Sequence, residues 1–209
     1  MIIDISRSVG PGIAGFPGDA PYAEGWTTRI GPDCPVNVGH LSLSAHCGTH
    51  ADAPLHYDAE GATVAALDLG PFVGPCRVID ARGPGALVVP RDLEAALAGT
   101  PPRVLLRLSE RIDPQVWPAG FRALAPESVD LLARAGVVLV GVDTPSVDPE
   151  TSKALPAHRA CLRAGMRILE NLVLDDVTPG AYELIALPLK LANLDAAPVR
   201  AILRRLPPS

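Results

Sequence analysis

The sequence predicts a mixed α/β fold (α+β), with strands in a layered or barrel-like sheet flanked by a few helices. Short apolar segments with a period of two alternate with a few segments of helical spacing. The 23 prolines and 19 glycines are too many for a helical bundle and suit many short strands and loops. A chain of 209 residues, 48% of them hydrophobic, has enough apolar material for one sizeable core. We therefore expect a single domain over residues 1–209.

Strands are predicted wherever apolar residues alternate or form short runs. Residues 36–46 form the most regular candidate, because its odd positions from 41 to 45 are apolar and its even positions from 40 to 46 are polar. Pro188 within the last predicted strand indicates an edge or a bulge. The predicted strands cover residues 2–6, 36–46, 76–80, 86–89, 104–108, 137–142, 166–169 and 182–191.

Helices are predicted in three places. Residues 91–98 have helical spacing and follow Pro90, which favours a helix start. Residues 126–135 form an amphipathic pattern that Gly136 ends, and residues 157–164 form a short one that Gly165 ends.

Charge and termini limit the classes of partner and compartment. The chain has 18 basic and 23 acidic residues, a net charge of −5, which does not suit a phosphate backbone, so we expect no nucleic-acid partner. Residues 34–51 carry no Asp, Glu, Lys or Arg, but their Pro, Gly and Asn content favours strand and loop over a membrane span. The first ten residues lack the pattern of a signal peptide. We expect a cytoplasmic protein without a membrane partner, with Cys34, Cys47, Cys76 and Cys161 reduced.

The most informative segment runs from residue 46 to residue 56. It holds His46, His50, Asp52 and His56, all at even positions, in a chain with only five histidines. Gly48 and Pro54 argue against a helix, whereas extended chain can place all four side chains on one side. We therefore expect one strand end and a loop to present them to one pocket. Imidazole and carboxylate donors suit Zn²⁺, Mn²⁺ or Fe²⁺, and two histidines with one aspartate leave a coordination position open, as catalytic sites do.

Two neighbouring residues are predicted to lie outside this cluster. His40 shares the even parity, but it precedes His46 by six residues, about 20 Å along an extended strand. We expect it to be structural or to support a ligand. Cys47 has the opposite parity and is expected to be a buried thiol.

The segment H-C-G-T-H-A-D-A-P-L-H resembles the H-x-G-T-H-x-D-x-P-x-H signature of the cyclase-like metal-dependent hydrolases. Within that family the chain is most similar to the bacterial kynurenine formamidases, also called arylformamidases. The similarity extends over almost the whole chain and is carried by the segments F-P-G-D at 16–19, P-L-H-Y at 54–57, D-T-P-S at 143–146, T-S-K at 151–153 and E-L-I-A-L-P-L-K-L at 183–191.

The resemblance implies a swivelling β/β/α-like domain, a homodimer and two divalent metal ions per chain, usually Zn²⁺, with Mn²⁺ as the alternative. It matches His46, His50 and Asp52 to the ligands of one metal, with Asp52 bridging to the second. It matches His158 to the distal histidine and Glu170 to the glutamate shared by both metals.

The resemblance also implies an activity, the hydrolysis of N-formyl-L-kynurenine to L-kynurenine and formate in tryptophan degradation by the kynurenine pathway. His56 matches the family's proton-transfer residue and is expected to protonate the departing aryl amine. Phe16 stands where these formamidases commonly place a substrate-stacking tryptophan. Phenylalanine keeps an aromatic face, but it has less area and no indole N–H.

Three functions remain open at this point. The first is an arylformamidase. The second is a hydrolase of cyclic amides, imides or lactones on the same metal site, as in isatin hydrolases. The third is a non-catalytic, zinc-stabilised binding domain, in which the metal shell would be closed and His56 would have no role.

Overall fold

The computed structural model describes residues 1–206 and forms one large sheet and two small ones. The two α-helices of this range are α1 (Pro126–Arg134) and α2 (Pro156–Ala164). Short 3-10 turns lie at Pro54–His56, Val64–Ala66, Gly70–Phe72, Pro90–Asp92 and Glu94–Ala96. The strands are β1 (Ile2–Asp4), β2 (Ala23–Thr28), β3 (Val38–Ser42), β4 (His50–Asp52), β5 (Val73–Asp80), β6 (Leu87–Val88), β7 (Arg103–Arg107), β8 (Ala123–Leu124), β9 (Leu139–Val142), β10 (Arg167–Glu170), β11 (Gly180–Ile185), β12 (Ala196–Pro198) and β13 (Ile202–Arg205).

The large sheet has nine strands in the order β1-β13-β11-β5-β7-β9-β10-β4-β12. Its centre, β5-β7-β9-β10, is parallel, and antiparallel strands extend it on both sides. The predicted mixed sheet with a few helices is therefore confirmed.

Alternation along the central strands creates a hydrophobic core on each face of the sheet. In β7, Leu105 belongs to one core and Leu106 to the other. In β10, Leu169 packs in the core of Leu105, and Ile168 packs in the core of Leu106. Both helices contribute to the core that contains Ile168, because α1 buries Val129 and Leu132 there and α2 buries Ala157, Ala160 and Cys161. The sheet is thus covered by helices on one face, and this is the face that carries the site described below.

The predicted strand at 36–46 is only partly correct. β3 ends at Ser42 and pairs with β2 in an exposed two-stranded ribbon, so Leu41 is 61% exposed instead of buried. A two-stranded ribbon has no further sheet to pack against, and its alternation therefore does not create a core. His40 lies on this ribbon, 3.3 Å from the hydroxyl of Thr27, outside the residues that line the candidate site, which corrects its predicted supporting role.

Two other elements differ from expectation. Residues 91–98 form no α-helix, because the chain makes two 3-10 turns that bury Leu93 and Leu97. The last long strand ends at Ile185, and Pro188 makes only an isolated bridge to Val199, as expected for a residue without a backbone N–H.

Two further findings concern residues 1–206. The cysteines are free, with Cys47, Cys76 and Cys161 buried and Cys34 partly so. None of the helices in this range is both long and apolar enough to span a bilayer.

Candidate metal centre and active site

Strand β4 places two site residues on the helix-covered face of the sheet. His50 and Asp52 lie two residues apart in the strand, and Ala51 between them turns to the opposite core. In the antiparallel pairing with β10, Glu170 lies directly opposite His50. The Nε2 atom of His50 is 3.3 Å from Glu170 Oε2 and 3.4 Å from Asp52 Oδ1. All three residues are buried.

Helix α2 delivers a second imidazole to these carboxylates. His158 Nε2 lies 3.4 Å from Asp52 Oδ2 and 3.6 Å from Glu170 Oε1. Its Nδ1 is 2.8 Å from Asp148 Oδ2, and Asp148 also accepts the backbone N–H groups of Ala157 and His158. Asp148 therefore caps the first turn of α2 and orients the imidazole with the same carboxylate.

The two remaining histidines of the signature reach the site from outside the strand. His46 lies in a turn before β4, and its Nδ1 is 3.2 Å from Asp52 Oδ1. His56 lies in the 3-10 turn after β4. One oxygen, Asp195 Oδ2, is 3.0 Å from both His46 Nε2 and His56 Nδ1. The four side chains thus converge from a turn, a strand and a 3-10 turn, and only His50 and Asp52 lie in extended chain.

Gly48 permits this path. Its φ of +68° lies in the left-handed region, and a Cβ there would come 2.5 Å from Val9 Cγ2. The carbonyl of Gly48 also accepts from His50 Nδ1 at 2.9 Å, which fixes the ring and leaves Nε2 for the centre of the site. A glycine between the two histidines is therefore required by both backbone conformation and space.

Buried atoms without partners show that the cluster fits a cation. His50 Nε2 and Asp52 Oδ1 are buried without a hydrogen-bond partner, despite their separation of 3.4 Å. Donor atoms of His50, Asp52 and Glu170 all lie within 4.8 Å of one another, and so do those of His46, Asp52 and His56. Asp52 belongs to both groups. A divalent ion would satisfy the unpartnered atoms, and nitrogen with carboxylate oxygen is a donor set that suits zinc or manganese.

The cluster holds protons when no metal is bound. Burial alone would lower the pKa of His50, but the Asp52 and Glu170 carboxylates raise it to about 10. Burial likewise opposes the charge on His158, whereas Asp148 and Asp52 raise its pKa to about 10. Burial would raise the pKa of Asp52, yet the surrounding imidazoles hold it well below its usual value. A cation entering this cluster must therefore displace protons.

A cavity of about 470 Å³ opens over the cluster. Its lining includes the side chains of His46, His50, His56, His158 and Glu170.

Phe16 lies on the wall of this cavity and is 47% exposed. Its ring meets that of Trp117 edge to face, with 5.3 Å between the ring centroids. The cavity thus combines a polar floor with an aromatic wall, the usual composition of a small-molecule site.

A sequence model of the family described as "Putative cyclase" matches residues 3–149. The chain belongs to the cyclase family. Its similar curated relatives include the kynurenine formamidase of Paracidovorax citrulli (strain AAC00-1), 54% identical over 208 residues that cover 98% of this chain and 96% of the relative. The kynurenine formamidase of Bordetella pertussis is also 54% identical, over 97% of each chain. The resemblance seen in the sequence is therefore confirmed.

Solved structures agree with the cyclase assignment. A structure described as a potential metal-dependent hydrolase with cyclase activity aligns with a TM-score of 0.83 at 28% identity, over 99% of each chain. An isatin hydrolase bound to the product analogue thioisatinate has a TM-score of 0.85 at 22% identity, covering 97% of this chain and 91% of that one. The second similarity establishes the fold alone.

Two carboxylates of this site were not predicted from the sequence. Asp148 precedes its partner His158 by ten residues in a loop, and Asp195 is 149 residues from His46. Neither has a spacing relation to the signature that sequence periodicity could reveal. A weak signal existed for Asp148, since it precedes the predicted helix that carries His158.

We predict that Asp148→Ala weakens both the cyclase fold and its metal site. Loss of a helix-capping carboxylate costs about 0.5–2 kcal/mol, and loss of the partner that orients a ligand costs about 10–100-fold in metal affinity. Thermal unfolding of the metal-free protein measures the first effect and competition with a chelator measures the second. Asp176→Ala is the control, because Asp176 is an exposed aspartate outside the lining of the cavity. Unchanged metal affinity would refute the orienting role.

Proposed function

We propose that the protein is an arylformamidase that hydrolyses N-formyl-L-kynurenine to L-kynurenine and formate in tryptophan degradation. The observation that carries this proposal is 54% identity to kynurenine formamidases over nearly the whole of both chains. The cavity supports it as well, because it places an aromatic wall beside a cluster of metal-binding side chains. A closed structural metal shell would not need such a cavity.

We further propose that the site holds two divalent ions, most simply Zn²⁺, with Mn²⁺ as the alternative. His46 and His50 would each serve as a ligand, with Asp52 between the ions, and His158 and Glu170 would complete the set. The two oxygens of Asp52 support its bridging position, since Oδ1 faces His46 and His50 and Oδ2 faces His158. When bound, such ions polarise a carbonyl oxygen and lower the pKa of water to about 7.

His56 is the proposed proton carrier. Asp195 Oδ2 accepts a hydrogen bond from His56 Nδ1, which orients the ring and leaves Nε2 free to exchange a proton. The side chain is 32% exposed and lines the cavity, so it reaches both substrate and solvent. In this role Nε2 accepts a proton as water attacks the formyl carbon and then donates it to the aryl amine as the C–N bond breaks.

The decisive test of substrate is turnover by the metal-reconstituted protein. We expect kcat/KM for N-formyl-L-kynurenine to exceed that for isatin by a large factor, with formate and L-kynurenine in equal amounts. Preference for isatin would replace the proposal with cyclic-amide hydrolysis. Absence of turnover on both substrates, with full metal content, would favour a binding domain.

Metal binding should release protons. At pH 7 the metal-free protein carries protons on His50 and His158, whose pKa values are raised to about 10. We expect about two protons released per chain on loading, measured by calorimetry in buffers of different ionisation enthalpy. Both histidines have a higher pKa in the folded protein than the value of about 6.5 in the unfolded chain. Their protonation therefore stabilises the metal-free fold fully below a pH of about 6.5, and this stability should be lost as the pH rises towards 10. Loading without proton release would contradict the account.

We also propose a cytoplasmic homodimer whose interface includes the ribbon β2–β3. This ribbon exposes Trp26, Val38 and Leu41, which are 50%, 45% and 61% exposed. Sedimentation of the wild type should give twice the chain mass of 21.8 kDa, and Leu41→Asp should shift the population towards the single-chain mass. A monomeric wild type would refute the dimer.

A further inference from the structure

The carboxylates that line the cavity differ in the groups that they already contact. Glu170 faces His50 and His158, and Asp195 is shared by His46 and His56. Asp19 is exposed, and one of its oxygens accepts the backbone N–H of Ala20. Glu150 is therefore the remaining partly buried carboxylate on the described lining, and it contacts no imidazole.

Two hydrogen bonds hold Glu150 beside the aromatic wall. Its Oε2 accepts from the indole Nε1 of Trp117 at 2.6 Å, and its Oε1 accepts from the backbone N–H of Gly120 at 3.3 Å. Trp117 in turn meets Phe16 edge to face. Each carboxylate oxygen accepts a single bond here and keeps a lone pair for another donor. The carboxylate is thus preorganised to accept from a ligand lying against these rings.

The charge of the lining favours a cation at this position. No lysine or arginine is found among the lining residues that the structure describes. Two hydroxyls of the lining, on Ser146 and Ser152, accept from backbone N–H groups of Asp148 and Leu155, so their own protons remain available for donation. The cavity therefore offers a fixed negative charge for an ammonium group and neutral donors for a carboxylate.

We infer that Glu150 determines specificity for the amino-acid end of the substrate by accepting hydrogen bonds from its α-ammonium group. This inference rests on the proposed function and deepens it, because it assigns the residue that recognises the ammonium group of the substrate. Trp117 and Phe16 contact the aryl part, while Glu150 anchors the charged end.

The experiment compares N-formyl-L-kynurenine with its desamino analogue, 4-(2-formamidophenyl)-4-oxobutanoate, in the metal-loaded enzyme. Glu150→Gln keeps an oxygen that can accept from Trp117 and removes the charge. We expect its kcat/KM for N-formyl-L-kynurenine to fall about 10–100-fold, mainly through KM, and its kcat/KM for the desamino analogue to stay near the wild-type value. Glu127→Gln, an exposed substitution on α1, should change neither.

Two further variants test whether the selectivity depends on the charge of Glu150 itself or on the residues around it. Trp117→Phe keeps the Glu150 charge but removes the indole N–H that holds it, so the ratio of the two kcat/KM values should fall by less than in Glu150→Gln. Asp19→Asn should preserve the wild-type ratio. An equal fall on both substrates in Glu150→Gln, or a selective fall in Asp19→Asn alone, would overturn the assignment.

Binding of L-kynurenine keeps this test independent of turnover. Calorimetry should show that Glu150→Gln weakens L-kynurenine binding about 10–100-fold, since the product retains the ammonium group. If the wild type failed to hydrolyse N-formyl-L-kynurenine, the proposed function would fall, and this measurement would still decide the role of Glu150. Equal binding by the two proteins, or no binding by the wild type, would overturn the inference.

Discussion

Replacement of Asp52 by asparagine is expected to weaken divalent-metal binding more than about 100-fold, beyond the 10–100-fold typical of losing a residue that only orients a ligand. Asp52 is fully buried and its two oxygens face His46, His50 and His158. An amide keeps the shape but removes the charge that would serve both ions. Activity should fall with the metal content.

His46→Ala is the matched control for this variant. One imidazole would belong to one ion, so its loss should cost less metal affinity than the loss of Asp52. Elemental analysis and competition with a chelator measure both variants, and thermal unfolding confirms that each folds. If the Asp52→Asn protein retained two ions and a near-normal rate, Asp52 would not be the bridge.

The second large effect is expected for His56→Ala. Its metal content should be intact and its kcat should fall about 10²–10⁴-fold, the usual contribution of a positioned acid or base. An aryl amine is a weak base and departs with little protonation, so the fall in kcat for an aryl formamide should be near the lower figure. The fall in kcat should be larger for a formamide of a more basic alkyl amine.

Zinc content decides between two roles of His56. Its donor atom lies within 4.8 Å of those of His46 and Asp52, so the geometry also permits a ligand. Depleted zinc in His56→Ala would reassign it as one. Equal rate losses for aryl and alkyl formamides, with intact zinc, would exclude the leaving-group role.

The signature residues could be predicted because they lie close together in sequence. Parity placed His46, His50, Asp52 and His56 on one side of the chain, and the structure does bring them together. Only His50 and Asp52 belong to a strand, and a turn at Gly48 and the 3-10 turn at 54–56, whose form the spacing did not specify, bring in the others. Local spacing therefore predicted the set of residues better than the backbone that joins them.

Other features depend on tertiary contacts that spacing does not contain. His158 and Glu170 were identified through family resemblance, because residues 106 and 118 positions beyond Asp52 have no periodic relation to it. Asp148 and Asp195 were missed for the same reason. Strand β3 shows the opposite failure, because its good alternation suggested burial, whereas its partner β2 leaves it in an exposed ribbon.

The most direct test of the account is a titration of the metal-free protein with Zn²⁺ while N-formyl-L-kynurenine hydrolysis and bound zinc are measured together. The account predicts that activity rises with loading and reaches its plateau at about two ions per chain, as for a clamp of two metals. Full activity at one ion per chain, or no formamidase activity at any loading, would contradict it.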